Sequence, residues 1–153
     1  MSKMICYRTD LRDLEDGQTI TSPGDHKAQL DDALTQAEMM LRAVSEQKAK
    51  LRADSIYAFM DEVWSKKYFL GKKGFLYQLE VDDADILHIA DMMLVNRISE
   101  APDLASAAAL VKQYWSGDRG TGERVEILAT RAVVTKRLYT PADKVLLKQQ
   151  LYK

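Results

Sequence analysis

Cysteine, histidine and proline are scarce in this chain of 153 residues, which carries one, two and three of them respectively. Cys6 stands alone, so no internal disulfide can form, and with only His26 and His88 available a zinc cluster has almost no ligands to draw on. Long apolar runs are missing too. Hydrophobic residues make up 46% of the chain, yet none of the runs is long enough to cross a bilayer, and Met1 to Cys6 lacks an apolar core of signal-peptide length. These absences predict a cytoplasmic protein with no membrane partner. An excess of one charge sign is also lacking: the formal net charge of −1 excludes a strongly basic coat for nucleic acid and leaves room only for a local basic groove. What remains is a globular composition, 29% charged, in a length that suits a single domain over 1–153 with a sizeable core.

Taken in order, Met4 to Arg8 has the pattern of a short strand, apolar and then abruptly cationic. A second extended piece is expected at Gln18 to Thr21, with Asp25 as a helix N-cap. From His26 to about Lys50, Leu30, Leu34, Ala37, Leu41 and Val44 recur at helical spacing while Glu38 and Arg42 are assigned to the other faces, which predicts one long amphipathic helix. Leu51 to Asp54 breaks that pattern. Ser55 to Phe59 fits a buried strand or a tight turn lined with aromatics, Asp61 to Tyr68 a short helix, and Gly71 to Gly74 a basic turn. Phe75 to Val81 is the clearest strand, with Phe75, Tyr77, Leu79 and Val81 on one face; Ile86 to His88 is another. Helices follow at Met92 to Ile98 and from Asp103 to Gly117, then strands at Val125 to Leu128 and Ala132 to Leu138, and a closing helix or docked tail from Pro141. Short strands with short connections among few helices favour an α+β fold with a largely antiparallel or split sheet.

The stretch Gly120 to Leu128 is a glycine-loosened loop running into a strand that carries one carboxylate. Alternation sends Arg124, Glu126 and Leu128 one way and Val125 and Ile127 the other. Val125 and Ile127 can then face a core, leaving Glu126 at the edge of a cleft, where a carboxylate among apolar neighbours suits chemistry.

Three separated pieces, Tyr7-Arg8, Ser55-Ile56-Tyr57-Ala58-Phe59 and Val125-Glu126-Ile127-Leu128, in that order resemble the Arg, Ser, Glu signature of the ADP-ribosyltransferase superfamily. The resemblance runs from Tyr7 to Leu138 and is to small bacterial and phage-associated members. It implies a split antiparallel β-sheet core with flanking helices, NAD as co-substrate and no metal. Glu126 would be the catalytic carboxylate that steadies an oxocarbenium-like ribose as nicotinamide leaves. Arg8, beside Tyr7, would hold the pyrophosphate or adenosine ribose through paired hydrogen bonds, with Arg52 as a second cationic contact. Ser55 would orient the nicotinamide ribose or support Glu126, and Tyr57 or Phe59 would stack on nicotinamide.

Members that modify protein arginine usually carry a second glutamate where this chain has Arg124. A cation there disfavours an arginine acceptor and suits an anionic one, so RNA or DNA is the expected partner. By analogy with such enzymes, the toxin of a toxin–antitoxin or phage-defence system, with a cognate antitoxin, is the expected setting. Two rivals stand beside this reading: a non-catalytic interaction module of the same architecture, and an unrelated α+β domain that docks a partner on its long helix. Outside the signature, Cys6 fits a core role and His88 that of a satisfied structural histidine, and Lys66-Lys67 with Lys72-Lys73 bracket Tyr68-Phe69 either as a solvated face or as a grip on a nucleic-acid backbone.

Overall fold

Every second residue of β1 (Lys3–Asp10) is buried from Cys6 onward, the signature of a strand with one face against a core. The computed structural model describes residues 2–25 and 32–152. Among them the fold is α+β, with a seven-stranded antiparallel sheet and six α-helices. In chain order these are β1, β2 (Thr19–Ile20), α1 (Asp32–Arg42), α2 (Glu46–Asp54), β3 (Ile56–Phe59), α3 (Glu62–Leu70), β4 (Phe75–Asp82), β5 (Ile86–Asp91), α4 (Met93–Glu100), α5 (Leu104–Trp115), β6 (Val125–Ala129), β7 (Ala132–Tyr139) and α6 (Lys144–Leu151). No helix among the described residues is long and apolar enough to cross a membrane.

The expected helix from His26 to Lys50 is two helices. Ser45, in extended backbone, accepts a hydrogen bond from the Lys48 amide and starts α2 afresh. That second helix runs through Leu51 to Asp54, where a break was expected, and this carries Arg52 into the interior. His26 and the helical start assigned to it lie outside the described residues.

The sheet order is β2-β7-β4-β1-β3-β6-β5. β1 and β4 pair along their whole length, from Lys3↔Asp82 to Asp10↔Phe75. Gly74 makes the close approach at that end feasible: it sits at φ +106°, and a Cβ there would run into the Asp10 carbonyl. β3 pairs β6 over four positions, but β1 and β3 are joined at one position alone, Tyr7↔Phe59. The sheet is therefore two well-bonded halves meeting at a thin seam.

One face holds Cys6, Ala58, Tyr77, Leu79, Val81, Ile127 and Val134 in a cluster containing no helix residue. Leu14, in the loop after β1, joins this cluster, and the Tyr77 hydroxyl ties that loop down by accepting from Leu14 N at 2.8 Å and donating to Arg12 O at 2.7 Å. The other face is covered in two parts. α1, α4 and α5 pack on the β5 half around Ala90, and α3 and α6 pack on the β4 half around Leu76. Each half-sheet thus has its own helical layer, with α3 reaching across the seam onto Phe59 of β3.

Candidate functional site at the seam

Pairing puts Tyr7, Phe59, Glu126 and Ala90 in one row across β1, β3, β6 and β5, so they share the helix-covered face. Glu126 does not stand at the edge of an open cleft as expected. It is 5% exposed, because α2 and α5 close over it. Tyr114 of α5 donates to its Oε1 at 2.6 Å, and Arg52 of α2 donates from Nη1 to the same oxygen at 3.2 Å. Its second oxygen, Oε2, accepts no hydrogen bond from any described residue. Burial raises the Glu126 pKa, while Arg52 and the Tyr114 hydroxyl oppose the rise. The result is a buried carboxylate held through one oxygen, its other oxygen without a hydrogen bond from the described residues.

Arg52 is not a cationic contact for a ligand. Its side chain is 1% exposed, it grips Glu38 through Nε at 2.8 Å and Nη2 at 2.6 Å, and its remaining donors go to Tyr114 and Glu126. The guanidinium also lies 5.0 Å from the Tyr57 ring centre and 5.4 Å from that of Tyr114. Burial acts to depress its pKa, but Tyr114, Glu38, Tyr57 and Glu126 outweigh that and hold it above its ordinary value. Tyr57 is likewise committed inward, its hydroxyl donating to the Arg52 carbonyl. Of the two aromatics expected to reach nicotinamide, this leaves Phe59.

Ser55 cannot support Glu126. The register sets Phe59, not Ser55, opposite Glu126, and four residues of strand separate them by about 13 Å. Ser55 instead ends α2, its hydroxyl donating to the Leu51 carbonyl.

Arg8 begins on the opposite face from Glu126, paired with Tyr77, and turns into the seam. Its Nη1 donates to the Tyr57 carbonyl at 2.8 Å, a β3 group that a longer β1–β3 ladder would have satisfied, and its Nε donates to Asp10 at 2.7 Å. Arg12 adds further bonds to Asp10, and although burial pushes that carboxyl up, the two arginines bring it down to about 2. Nη2 of Arg8 has no partner among the described residues.

Tyr68 of α3 connects the two sides. It packs edge-on to Phe59 with ring centres 4.8 Å apart. Burial raises its pKa, Glu126 raises it further and Arg8 lowers it, so both charges bear on one phenol. Trp64 extends this aromatic group, 6.1 Å from Phe59, and carries the Arg124 guanidinium 4.3 Å above its ring. Arg124 thus lies at the rim of the same group. Tyr7 lies under the start of α3, where burial and the charges of Glu62, Cys6 and Asp61 raise its pKa.

Glu38, Tyr114 and Trp64 are not among the site residues the sequence points to, and Tyr68 enters there only within the stretch between the lysine pairs. Glu38 had a legible signal: Leu34, Glu38 and Leu41 fall in one helical stripe, and a carboxylate in an apolar stripe needs a buried partner. Tyr114 continues the stripe of Ala107 and Val111 in the same way. Cys6 is a buried core residue, its thiol pushed by burial up to about 12, and the half-buried His88 is structurally satisfied, its Nε2 donating to the Tyr114 carbonyl at 2.9 Å. No family model matches the chain, and no curated protein matches it.

Proposed function

We propose that this chain is an NAD-dependent mono-ADP-ribosyltransferase with its dinucleotide site along the β1/β3 seam. The observation that carries this reading is the pair of half-satisfied charges there: Glu126 with Oε2 open and Arg8 with Nη2 open, both acting on Tyr68. The donor set suits NAD. Arg8 offers a planar donor edge for a phosphate, Phe59 and Tyr68 offer aromatic surface for nicotinamide, and Glu126 offers a fixed acceptor for ribose hydroxyls. Bound NAD supplies the bond between ribose and nicotinamide, which breaks with its electron pair leaving on nicotinamide; the acceptor then attaches to the ribose carbon and loses a proton. Glu126, steadied by Tyr114 and Arg52, favours the cationic transition state over the ground state.

Arg124 at the rim, stacked on Trp64, favours an anionic acceptor, RNA or DNA, over protein arginine. A cytoplasmic toxin restrained by a cognate antitoxin, in a toxin–antitoxin or phage-defence system, is the setting we propose. Incubation with labelled NAD and RNA, DNA or protein tests the reading: transfer to nucleic acid by wild type, reduced about 100- to 1,000-fold in Glu126→Gln, supports it. No transfer to any of the three overturns it.

The burial of Glu126 to 5% exposure favours a second reading, a catalytically silent interaction module of the same architecture. Such a module shows no calorimetric NAD binding sensitive to Arg8→Ala.

A further inference from the structure

Lysines gather on the layer formed by α3 and α6. Lys66 and Lys67 lie on α3, Lys72 and Lys73 in the turn after it, and Lys144 and Lys148 on α6. Among the described residues only Lys66 of these six is ion-paired, to Glu62 at 3.7 Å. In a chain of formal net charge −1, that makes a local cationic field. Aromatic rings are interleaved with it. Lys72 Nζ is 5.1 Å from the centre of Tyr68, Lys67 is 5.7 Å from that of Tyr152, and Lys66 is 5.8 Å from that of Tyr139. Lys144 is tied to the Lys72 carbonyl and bridges the two elements.

A hollow of about 510 Å³ lies between them, lined by Leu70, Gly71, Lys144, Val145, Lys148 and Tyr152. Tyr152 is 59% exposed and Val145 69%, so an aromatic face and an apolar floor are open to solvent among ammonium groups. The row starts at Tyr68, which also packs on Phe59 at the seam.

We infer that this face is a track for a single-stranded polynucleotide, with phosphates on Lys67, Lys72, Lys73 and Lys148 and a base stacked on Tyr152. Unpaired bases suit it because stacking on an exposed ring needs a free base face, which a duplex does not offer. Lysines in place of arginines fit a backbone read as point charges rather than base edges read by paired donors. The inference deepens the proposed acceptor class, and it places the strand so that it leads toward Tyr68 and the seam.

The test is fluorescence anisotropy with labelled 12-nucleotide oligo-U and oligo-dT, and a 12-base-pair duplex as control. Binding of the single strands is expected, at least tenfold tighter than the duplex, with log K falling by about 0.7 per phosphate contacted for each tenfold rise in salt. The double variant Lys67→Glu/Lys148→Glu should weaken binding at least tenfold, Lys67→Gln/Lys148→Gln less, and Tyr152→Ala about tenfold. The charge reversal Lys112→Glu on α5, away from the track, should leave it unchanged. Preference between oligo-U and oligo-dT tells RNA from DNA. Absence of binding at low salt, equal binding of duplex, or equal loss in Lys112→Glu overturns the track. Nicotinamide release from NAD alone, measured in parallel, keeps the two readings apart: strand binding without release sinks the enzyme and spares the track, and release without strand binding does the reverse.

Discussion

Two arginines flank the seam, and they are held in opposite ways. Arg8 pairs with Asp10, two residues along the same strand, and Arg12 lies close enough to share that carboxylate. Arg52 draws its partners from far along the chain: Glu38 on α1, Tyr114 on α5 and Glu126 on β6. The first cluster is local and redundant and leaves one donor edge of Arg8 open. The second is buried like the first, but it is assembled by the tertiary fold and uses all three guanidinium nitrogens of Arg52. Both arginines are buried, so the difference is one of bonding: Arg52 spends every nitrogen on the fold and serves the carboxylate, while Arg8 keeps one nitrogen for the dinucleotide we propose.

Removing each arginine should break the symmetry most clearly. Arg52→Ala leaves Glu38 with Arg42 but Glu126 with Tyr114 alone, and is expected to cost about 3–5 kcal/mol in urea unfolding. Arg8→Ala should cost much less, because Arg12 still holds Asp10. Asp10→Asn removes a carboxyl depressed to about 2 and should cost about 2 kcal/mol near neutral pH. Since its folded pKa is lowered, that contribution is present above the ordinary value of 3.8 and fades as pH falls toward 2. Across the seam the sign reverses. The raised Glu126 pKa means its contribution is full below the ordinary 4.5 and is lost as pH rises through the folded value, so the wild type should decline relative to Glu126→Gln over that range. Ser55→Ala, at the end of α2, should cost about 1 kcal/mol and leave nicotinamide release unchanged.

The elements were largely legible in the sequence, and the partners that meet around Arg52 were not. Alternation over Phe75 to Val81, the apolar run at Val125 to Leu128 and the helix starts at Asp61 and Asp103 mark most elements, because these signals are contained within a few residues. Glu38 lies in α1, ahead of the break, and the restart at Ser45 aims Arg52 back at it, a meeting that a single long helix does not predict. Ser55 was misread because sequence order gives no register. The pairing Phe59↔Glu126 is a property of β3 against β6, and it moves Ser55 away from the carboxylate.

The central claim is that Arg8 binds the dinucleotide and Glu126 acts on the transition state from across one seam. It is tested most directly by titrating NAD calorimetrically into wild type, Arg8→Ala and Glu126→Gln while following nicotinamide release. The account predicts binding weakened at least tenfold by Arg8→Ala, and binding within about threefold of wild type but release reduced at least 100-fold in Glu126→Gln. Equal NAD affinity in wild type and Arg8→Ala, or undiminished release by Glu126→Gln, would contradict it.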